Sequence, residues 1–349
     1  MPGTGRRRQV SMAHIAERAG VSITTVSHVI NKTRPVRPET EQAVLTAIAE
    51  AGYVPDAVVR SQRTAGSQTI GLAMSAISNT YFGDVVHGIE QAAATAGYSL
   101  LLTDTHDEVA GELRAVSDLL SRHVEAIILA PSADPAAALQ HARKRGVPVV
   151  VIDRLIDDEV DQVGSENRGP TADLVTHLAG LGHRRIAMIG GRSGLSTSDE
   201  RLAGYRDGLE RSNLPYAPEL VRSGDSQDEP ARQALHALMA RPEPPTGVVV
   251  GNNRMTIGAM RAVRELGLRV PDDLALVAFD DFEWADLFHP RLTVIAQPTQ
   301  PLGAQALRLV MSRLADPALP PRRLVMKPAF VHRDSCGCGQ PARTAPICT

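Results

Sequence analysis

Seven short apolar runs rich in β-branched residues recur along the chain, at Thr69–Met74, Tyr98–Thr103, Ala126–Ala130, Val147–Ile152, Arg185–Ile189, Thr246–Val250 and Leu274–Phe279. Between them lie stretches with helical spacing: Phe82–Ala96, Leu113–Arg122, Pro135–Arg145, Pro170–Leu181, Glu200–Arg211 and Met255–Leu266. Gly97, Gly146, Gly182 and Gly267 stand where a left-handed residue would end four of these helices. Strand–helix alternation at this spacing predicts an α/β fold, with parallel sheets wound by helices on both faces. A break near 163–168 divides the pattern into two lobes. In such sheets ligands bind beyond the carboxyl ends of the strands.

With 349 residues there is room for two or three domains. The chain is 43% apolar and 22% charged, the balance of a soluble globular protein. A net charge of −2 excludes a uniformly basic nucleic-acid coat. No apolar run reaches the roughly 18 residues that would span a bilayer, and the basic start is followed by polar sequence rather than a signal peptide. All three cysteines (Cys336, Cys338, Cys348) fall near the end, so no disulfide is expected in the body and a reducing, cytoplasmic compartment fits best.

Charge is unevenly spread. Residues 1–66 hold nine Lys/Arg against five acids, net +4, and the remainder is net −6. A small basic head on an acidic body suits a head that meets a polyanion. The head reads as three helices. Ser11 caps Met12–Ala19, Gly20 turns the chain, and Ser22 caps Ile23–Ile30, with Val26, Val29 and Ile30 inward. Two helices joined by a short turn containing Gly form a helix-turn-helix. The outward face of the second, Ile23, Thr24, Thr25, Ser27 and His28, consists of groups able to approach base edges. Pro38 opens a third helix that runs through Glu50 and is closed by Gly52.

The string Val21-Ser22-Ile23-Thr24-Thr25-Val26-Ser27-His28-Val29-Ile30-Asn31 resembles the headpiece of the lactose-repressor (LacI/GalR) family, and through Asn31-Lys32-Thr33-Arg34 it is especially similar to the family's purine-responsive members. The resemblance continues through Ala51-Gly52-Tyr53-Val54-Pro55, Leu181-Gly182-His183-Arg184-Arg185-Ile186-Ala187, Arg201-Leu202-Ala203-Gly204-Tyr205, Gly267-Leu268-Arg269-Val270-Pro271-Asp272-Asp273 and Phe279-Asp280-Asp281, covering roughly residues 10–333. It implies a homodimeric transcriptional repressor with no enzymatic activity and no cofactor. A headpiece (10–55) and hinge (56–67) would precede an effector-binding and dimerisation domain (68–335) of the periplasmic-binding-protein kind. Lobe 1 would take 68–165 and 297–323, lobe 2 would take 166–296 and 324–335, and 336–349 would be a disordered tail.

By the same resemblance, Ile23, Thr24 and His28 would read bases of a near-palindromic duplex operator. Thr25 and Ser27 would lie nearer the backbone, Asn31 and the Lys32–Arg34 stretch would position phosphates, and Ser22 and Tyr53 would also belong to the DNA-binding set. In this family the hinge inserts a leucine into the minor groove, but here the local string is Val59-Arg60-Ser61-Gln62. Glutamine is a poor apolar wedge, so either the operator bends less or Val58 and Val59 take over, and Gln62→Leu is expected to increase affinity and bending.

The family's ligand contacts fall on Asn79, Phe82, Asp153, Arg201, Asn252, Asp280 and Gln297. From the residues alone, Phe279, Phe282, Trp284 and Phe288 crowd around Asp280 and Asp281, an aromatic face beside carboxylates of the kind that grips a polyol, with Trp284 the added contact. Ordinary core packing is the alternative for Phe279 and Phe288. Gly251-Asn252-Asn253 stands where an Asn-Asp pair is usual, and Leu195 where purine-responsive members carry an arginine. The expected effector is therefore a sugar, polyol or sugar acid rather than a purine.

His332, Cys336, Cys338 and Cys348 suggest a zinc site only weakly, because Cys-x-Cys is tight for a tetrahedron, and a tail without metal is expected. No P-loop, dinucleotide fingerprint or nucleophile elbow occurs. The rival readings are a carbohydrate-active enzyme or kinase with a fused DNA-binding head, and a solute-binding protein for transport.

Overall fold

In the computed structural model, residues 11–31, 34–51, 66–75 and 79–338 are described. The chain forms two compact units, residues 1–68 and 69–349. In the first, α1 (Met12–Ala19), α2 (Ile23–Asn31) and α3 (Pro38–Ala51) enclose a small core of Ile15, Ala16, Val26, Val29, Val44 and Ala47. Ser11 caps α1, accepting from the His14 N–H, and Gly20 ends it at φ 65°, where a side chain would be strained. The Ser22 Oγ accepts from the Thr25 N–H at 3.1 Å and so starts α2. Ser11, Gly20 and Ser22 thus play the parts read from the sequence.

The second unit alternates strands and helices in chain order: β1 (Thr69–Ala73), α4 (Thr80–Thr95), β2 (Ser99–Thr103), α5 (Val109–Ser121), β3 (Ala126–Leu129), α6 (Ala136–Lys144), β4 (Val149–Asp153), β5 (Asp161–Ser165), α7 (Arg168–Gly180), β6 (Ile186–Gly190), α8 (Ser196–Arg211), β7 (Val221–Ser223), α9 (Asp228–Met239), β8 (Gly247–Val250), α10 (Asn253–Glu265), β9 (Ala275–Phe279), β10 (Thr293–Ala296), α11 (Thr299–Ala315), β11 (Arg323–Met326) and β12 (Ala329–Val331). They build two six-stranded sheets, β11-β5-β4-β3-β1-β2 and β12-β10-β9-β8-β6-β7. Every pairing is parallel except that of β12 on β10, an antiparallel edge not expected from the sequence.

Each sheet is covered on both faces. In lobe 1, Ile70, Leu72, Ile128 and Val150 pack under α4 and α11, while Ile127, Leu129 and Ala73 pack under α5 and α6. In lobe 2, Val248, Val250 and Leu276 lie under α9 and α10, and Val249, Val277 and Phe279 lie under α7 and α8. Strands buried on both faces read as continuous apolar runs, which is why β3, β8 and β9 are visible in the sequence.

The chain crosses between lobes three times: after Ser165, after Ala296 and after Met326. The last crossing corrects the expected boundary, because Leu324–Met326 pair with Val163–Ser165 in the lobe 1 sheet rather than beginning the return to lobe 2. The expected tail is corrected too. Ser335 and Cys336 are buried, and the Ser335 Oγ donates to the Leu276 carbonyl at 2.6 Å, so the chain stays bound to lobe 2 through residue 338. Residues 339–349 lie outside the described part.

Candidate effector cleft and nucleic-acid interface

Carboxyl ends of strands from both sheets converge on one cleft, lined among others by Asn79, Tyr81, Phe82, Asp153, Arg154, Leu195, Arg201, Asn252, Met255, Asp280 and Gln297. Its free volume is about 50 Å³, and cross-lobe bonds hold it narrow. The Asn253 Nδ2 donates to the Thr80 Oγ1 at 2.9 Å, and the Arg192 Nη1 donates to the Asp107 carbonyl at 3.4 Å.

Asp153 ends β4 and is buried. Its Oδ1 accepts a 2.6 Å hydrogen bond from the Tyr81 hydroxyl, and the Arg154 Nε lies 3.8 Å from Oδ2. Burial raises the Asp153 carboxyl above its ordinary value, opposed by Arg154, Tyr81 and Arg201. Burial and the neighbouring carboxylate hold the Tyr81 hydroxyl well above its usual range, so it stays a donor. Asp280 follows β9 in lobe 2, and its Oδ1 accepts from the Gln297 Nε2 at 2.6 Å. The Tyr81 hydroxyl also reaches the Gln297 Oε1 at 3.4 Å, so Asp153, Tyr81, Gln297 and Asp280 form one polar chain from lobe to lobe.

Arg201 enters from α8 and is buried. The Nε donates to the Asn167 Oδ1 at 2.9 Å and the Nη1 to the Gly251 carbonyl at 2.6 Å. Its guanidinium lies 3.7 Å from the centre of the Phe279 ring, and the Nη2 is 3.9 Å from the Asp280 Oδ1. Stacking and the fork together fix the guanidinium plane before any ligand arrives. Asn79 and Asn252 cap α4 and α10, accepting from the Tyr81 and Met255 N–H groups, so their side-chain amides are aimed by helix termini at the cleft.

Seven of the eight residues expected at the effector site meet here. Trp284 does not. It stands on a short 3₁₀ helix, Glu283–Asp286, and is 55% exposed. The rest of the expected aromatic face is also core: Phe279 is buried beneath Arg201, and Phe282 and Phe288 pack edge to face at 6.2 Å in lobe 2. Asp281 turns away to Arg333, at 2.8 Å. Sequence reasoning pairs Tyr81 with Phe82 after a strand without committing Tyr81 to the site, and does not reach Arg154 or Asn167. The adjacency of Tyr81 to Phe82 and of Arg154 to Asp153 was the available signal, whereas nothing local marks Asn167. A wider hollow in the headpiece, lined by Arg18, Glu39 and Glu50, lacks buried polar groups and is closed at one side by the Arg18–Glu50 ion pair.

On α2, Ile23 and Thr24 are exposed, and Thr25, Ser27 and His28 are half-buried. Ile23 is 52% exposed. Thr25 is engaged with the Ser22 hydroxyl at 2.9 Å. Arg34 is exposed. Lys32, Tyr53, Val58, Val59 and Gln62 lie outside the described residues, as does the Asn31 side chain. No helix among the described residues is long and apolar enough to cross a membrane.

Residues 11–56 match the bacterial regulatory proteins of the lacI family, and residues 175–336 match the periplasmic binding protein-like domain. The HTH-type transcriptional repressor PurR of Yersinia pestis bv. Antiqua (strain Antiqua) is 34% identical over 329 residues, 93% of this chain and 96% of that one. PurR of Pectobacterium carotovorum subsp. carotovorum (strain PC1) is 32% identical, with the same coverage. Among solved structures, the transcriptional regulator CelR in complex with cellobiose is 30% identical with a TM-score of 0.72, covering 93% of this chain and 99% of that one. The lac repressor dimer bound to operator and the anti-inducer ONPF is 28% identical with a TM-score of 0.84, covering 94% and 99%. The α2 face, the two-lobed cleft and these likenesses along nearly the whole chain agree: the protein belongs to the lacI family of DNA-binding transcriptional repressors.

Proposed function

We propose that the cleft takes a polyhydroxy effector, a sugar, polyol or sugar acid, and that its occupancy decides whether two copies of this chain hold a near-palindromic operator. The observation that carries the reading is the pair of buried carboxylates, Asp153 and Asp280, lining one cleft from opposite lobes. Each has its Oδ1 held by a protein donor, and among the described residues neither Oδ2 accepts a hydrogen bond. Free carboxylate oxygens accept from vicinal hydroxyls, while Arg201, Asn79 and Asn252 supply donors for ring or acid oxygens. Apolar side chains are confined to Tyr81, Phe82, Leu195 and Met255, a small surface for sandwiching a flat base. The CelR–cellobiose complex is a relative whose effector is of this class. The PurR relatives favour a purine instead.

In the headpiece, Ile23, Thr24 and His28 are the proposed base readers. Ser22, Thr25, Ser27, Asn31, Lys32, Arg34 and Tyr53 are the proposed register-setting contacts, and Val58, Val59 and Gln62 the proposed minor-groove contacts. Effector and operator are then linked through their different affinities for two arrangements of the dimer.

A thermal-shift screen of sugars, polyols, sugar acids and purine bases, run on wild type, Arg201→Ala and Asp280→Ala, tests this. The expected result is stabilisation of wild type by a polyhydroxy compound, lost in both variants, with a matching change in operator affinity. Stabilisation by purines alone, or equal stabilisation of all three proteins, would overturn the assignment.

A further inference from the structure

On lobe 2, three soft or borderline donors converge, and a fourth, Cys336, adjoins one of them. His177 projects from α7, His332 follows edge strand β12, and Cys338 lies in the turn after the buried Ser335 and Cys336. One ligand atom from each of these three lies within 4.8 Å of the other two. The Cys336 Sγ is 3.2 Å from the Cys338 Sγ. For zinc, with metal–sulfur bonds of about 2.3 Å and metal–nitrogen bonds of about 2.0 Å, the edges of a tetrahedron measure about 3.3–3.8 Å. The ligand atoms of His177, His332 and Cys338 are therefore at most about 1–1.5 Å further apart than such an edge.

Two further observations point to a ligand. The Nε2 of His177 is buried without a regular hydrogen-bond geometry, and the ring lies close enough to the Cys336 thiol to interact with it. The ring is also oriented, standing edge-on to His332 at 4.8 Å and to Phe330 at 5.4 Å, while Phe330 and His332 stack at 4.3 Å. In addition, the Thr293 hydroxyl donates to the Cys336 Sγ at 3.3 Å, the outer support that a metal thiolate commonly has. The Cys-x-Cys spacing that made a zinc site unattractive in the sequence is offset by two histidines supplied from distant elements.

We propose that His177, His332, Cys338 and Cys336 bind one zinc-class divalent cation, which clamps the C-terminal turn to helix Arg168–Gly180. Two thiolates and two neutral imidazoles around a divalent cation leave no net charge, and a sphere filled by protein ligands is of the structural kind.

The test uses the full chain, stripped with chelator under a thiol-free reductant and titrated with Co²⁺, then Zn²⁺. One equivalent of Co²⁺ per chain should give the visible bands of tetrahedral cobalt and a thiolate charge-transfer band, both erased by Zn²⁺. Because Cys338 and His332 are exposed, Cys338→Ser and His332→Ala should fold as wild type without metal, yet bind on the order of 100-fold or more weaker. Cys348→Ser should bind as wild type. Zinc should raise the melting temperature of wild type and of Cys348→Ser only. Absence of the charge-transfer band, equal binding by wild type and Cys338→Ser, loss of binding in Cys348→Ser, or a Cys336–Cys338 disulfide formed in preference to metal uptake would each overturn the proposal.

Discussion

Asp153 and Asp280 occupy the same place in the two lobes: each stands at the carboxyl end of the third strand from the sheet edge formed by β11 or β12, and each holds a left-handed backbone, at φ 68° and 74°. Residues with a side chain visit that region seldom, and when they do the surroundings enforce it. Here both strands end by turning a carboxylate back toward the cleft, so two similar halves present matching acids to whatever lies between them.

Holding Asp153 ionised and buried should weaken the fold at neutral pH. Its native value is raised above that of the unfolded chain, so the native state binds the extra proton between the two values. The cost is absent below the ordinary carboxylate value and grows as pH rises through the raised one. Asp153→Asn should therefore have a higher urea midpoint than wild type at pH 7, with the gap closing toward pH 4. Arg154 is not orphaned by the change, because Asp107 and the Pro131 carbonyl still hold it. A variant less stable than wild type at pH 7 would contradict this account.

Arg201→Lys keeps the charge but loses the fork. The Asn167 Oδ1 and the Gly251 carbonyl would each lose a buried donor, costing about 2–4 kcal/mol. Denaturant unfolding measures the loss, and effector-induced stabilisation should vanish with it. Unaltered unfolding would mean that the network around Arg201 carries no stability.

Helices α4 and α11 approach so closely that a Cβ on Gly303 would sit 2.3 Å from the Val85 carbonyl oxygen. Gly303→Ala should cost about 2 kcal/mol, a fall of roughly 4–8 °C in melting temperature. Gly83 lies on α4 with open space around its Cβ position, so Gly83→Ala should instead stabilise by about 0.5–1 kcal/mol. Calorimetry on the pair separates close packing from helix propensity, and equal effects of the two would refute the contact argument.

In the headpiece, Ser22→Ala removes the side-chain acceptor for the Thr25 N–H. The loss of about 1 kcal/mol corresponds to roughly five-fold faster amide exchange across Ile23–Asn31, readable by hydrogen-exchange mass spectrometry, with weaker operator binding. Exchange at the wild-type rate would exclude Ser22 as the cap.

The Thr80–Asn253 hydrogen bond is one of the contacts that hold the lobes together, and Thr80→Val removes it with little change in volume. Effector affinity should fall about five-fold, in line with a single hydrogen bond of about 1 kcal/mol. Isothermal titration with a ligand found in the screen would measure it, and an unchanged affinity would show that the bond plays no part in closure.

What the sequence determined by itself is whatever local chemistry encodes: helix limits set by Ser11, Gly20 and Ser22, and strands buried on both faces and therefore uniformly apolar. Asp280 was legible from the residues around the end of its strand, whereas Asp153 was reached only through the family resemblance. What tertiary structure alone decided is where polar segments are recruited. β5, Asp-Gln-Val-Gly-Ser, reads as a loop, yet it is a buried strand because β4 and β11 pair with its two edges and Arg313 and Arg322 neutralise Asp161. The edge strands β11 and β12 likewise draw their places from partners elsewhere in the chain, Gln162–Ser165 for β11 and Val294–Ala296 for β12. Trp284 is the opposite case: its neighbours in sequence suggested a binding face, but a one-turn helix carries it to solvent. His177 meets His332 and Cys338 only because an edge strand returns antiparallel beside α7, and no spacing along the chain encodes that meeting.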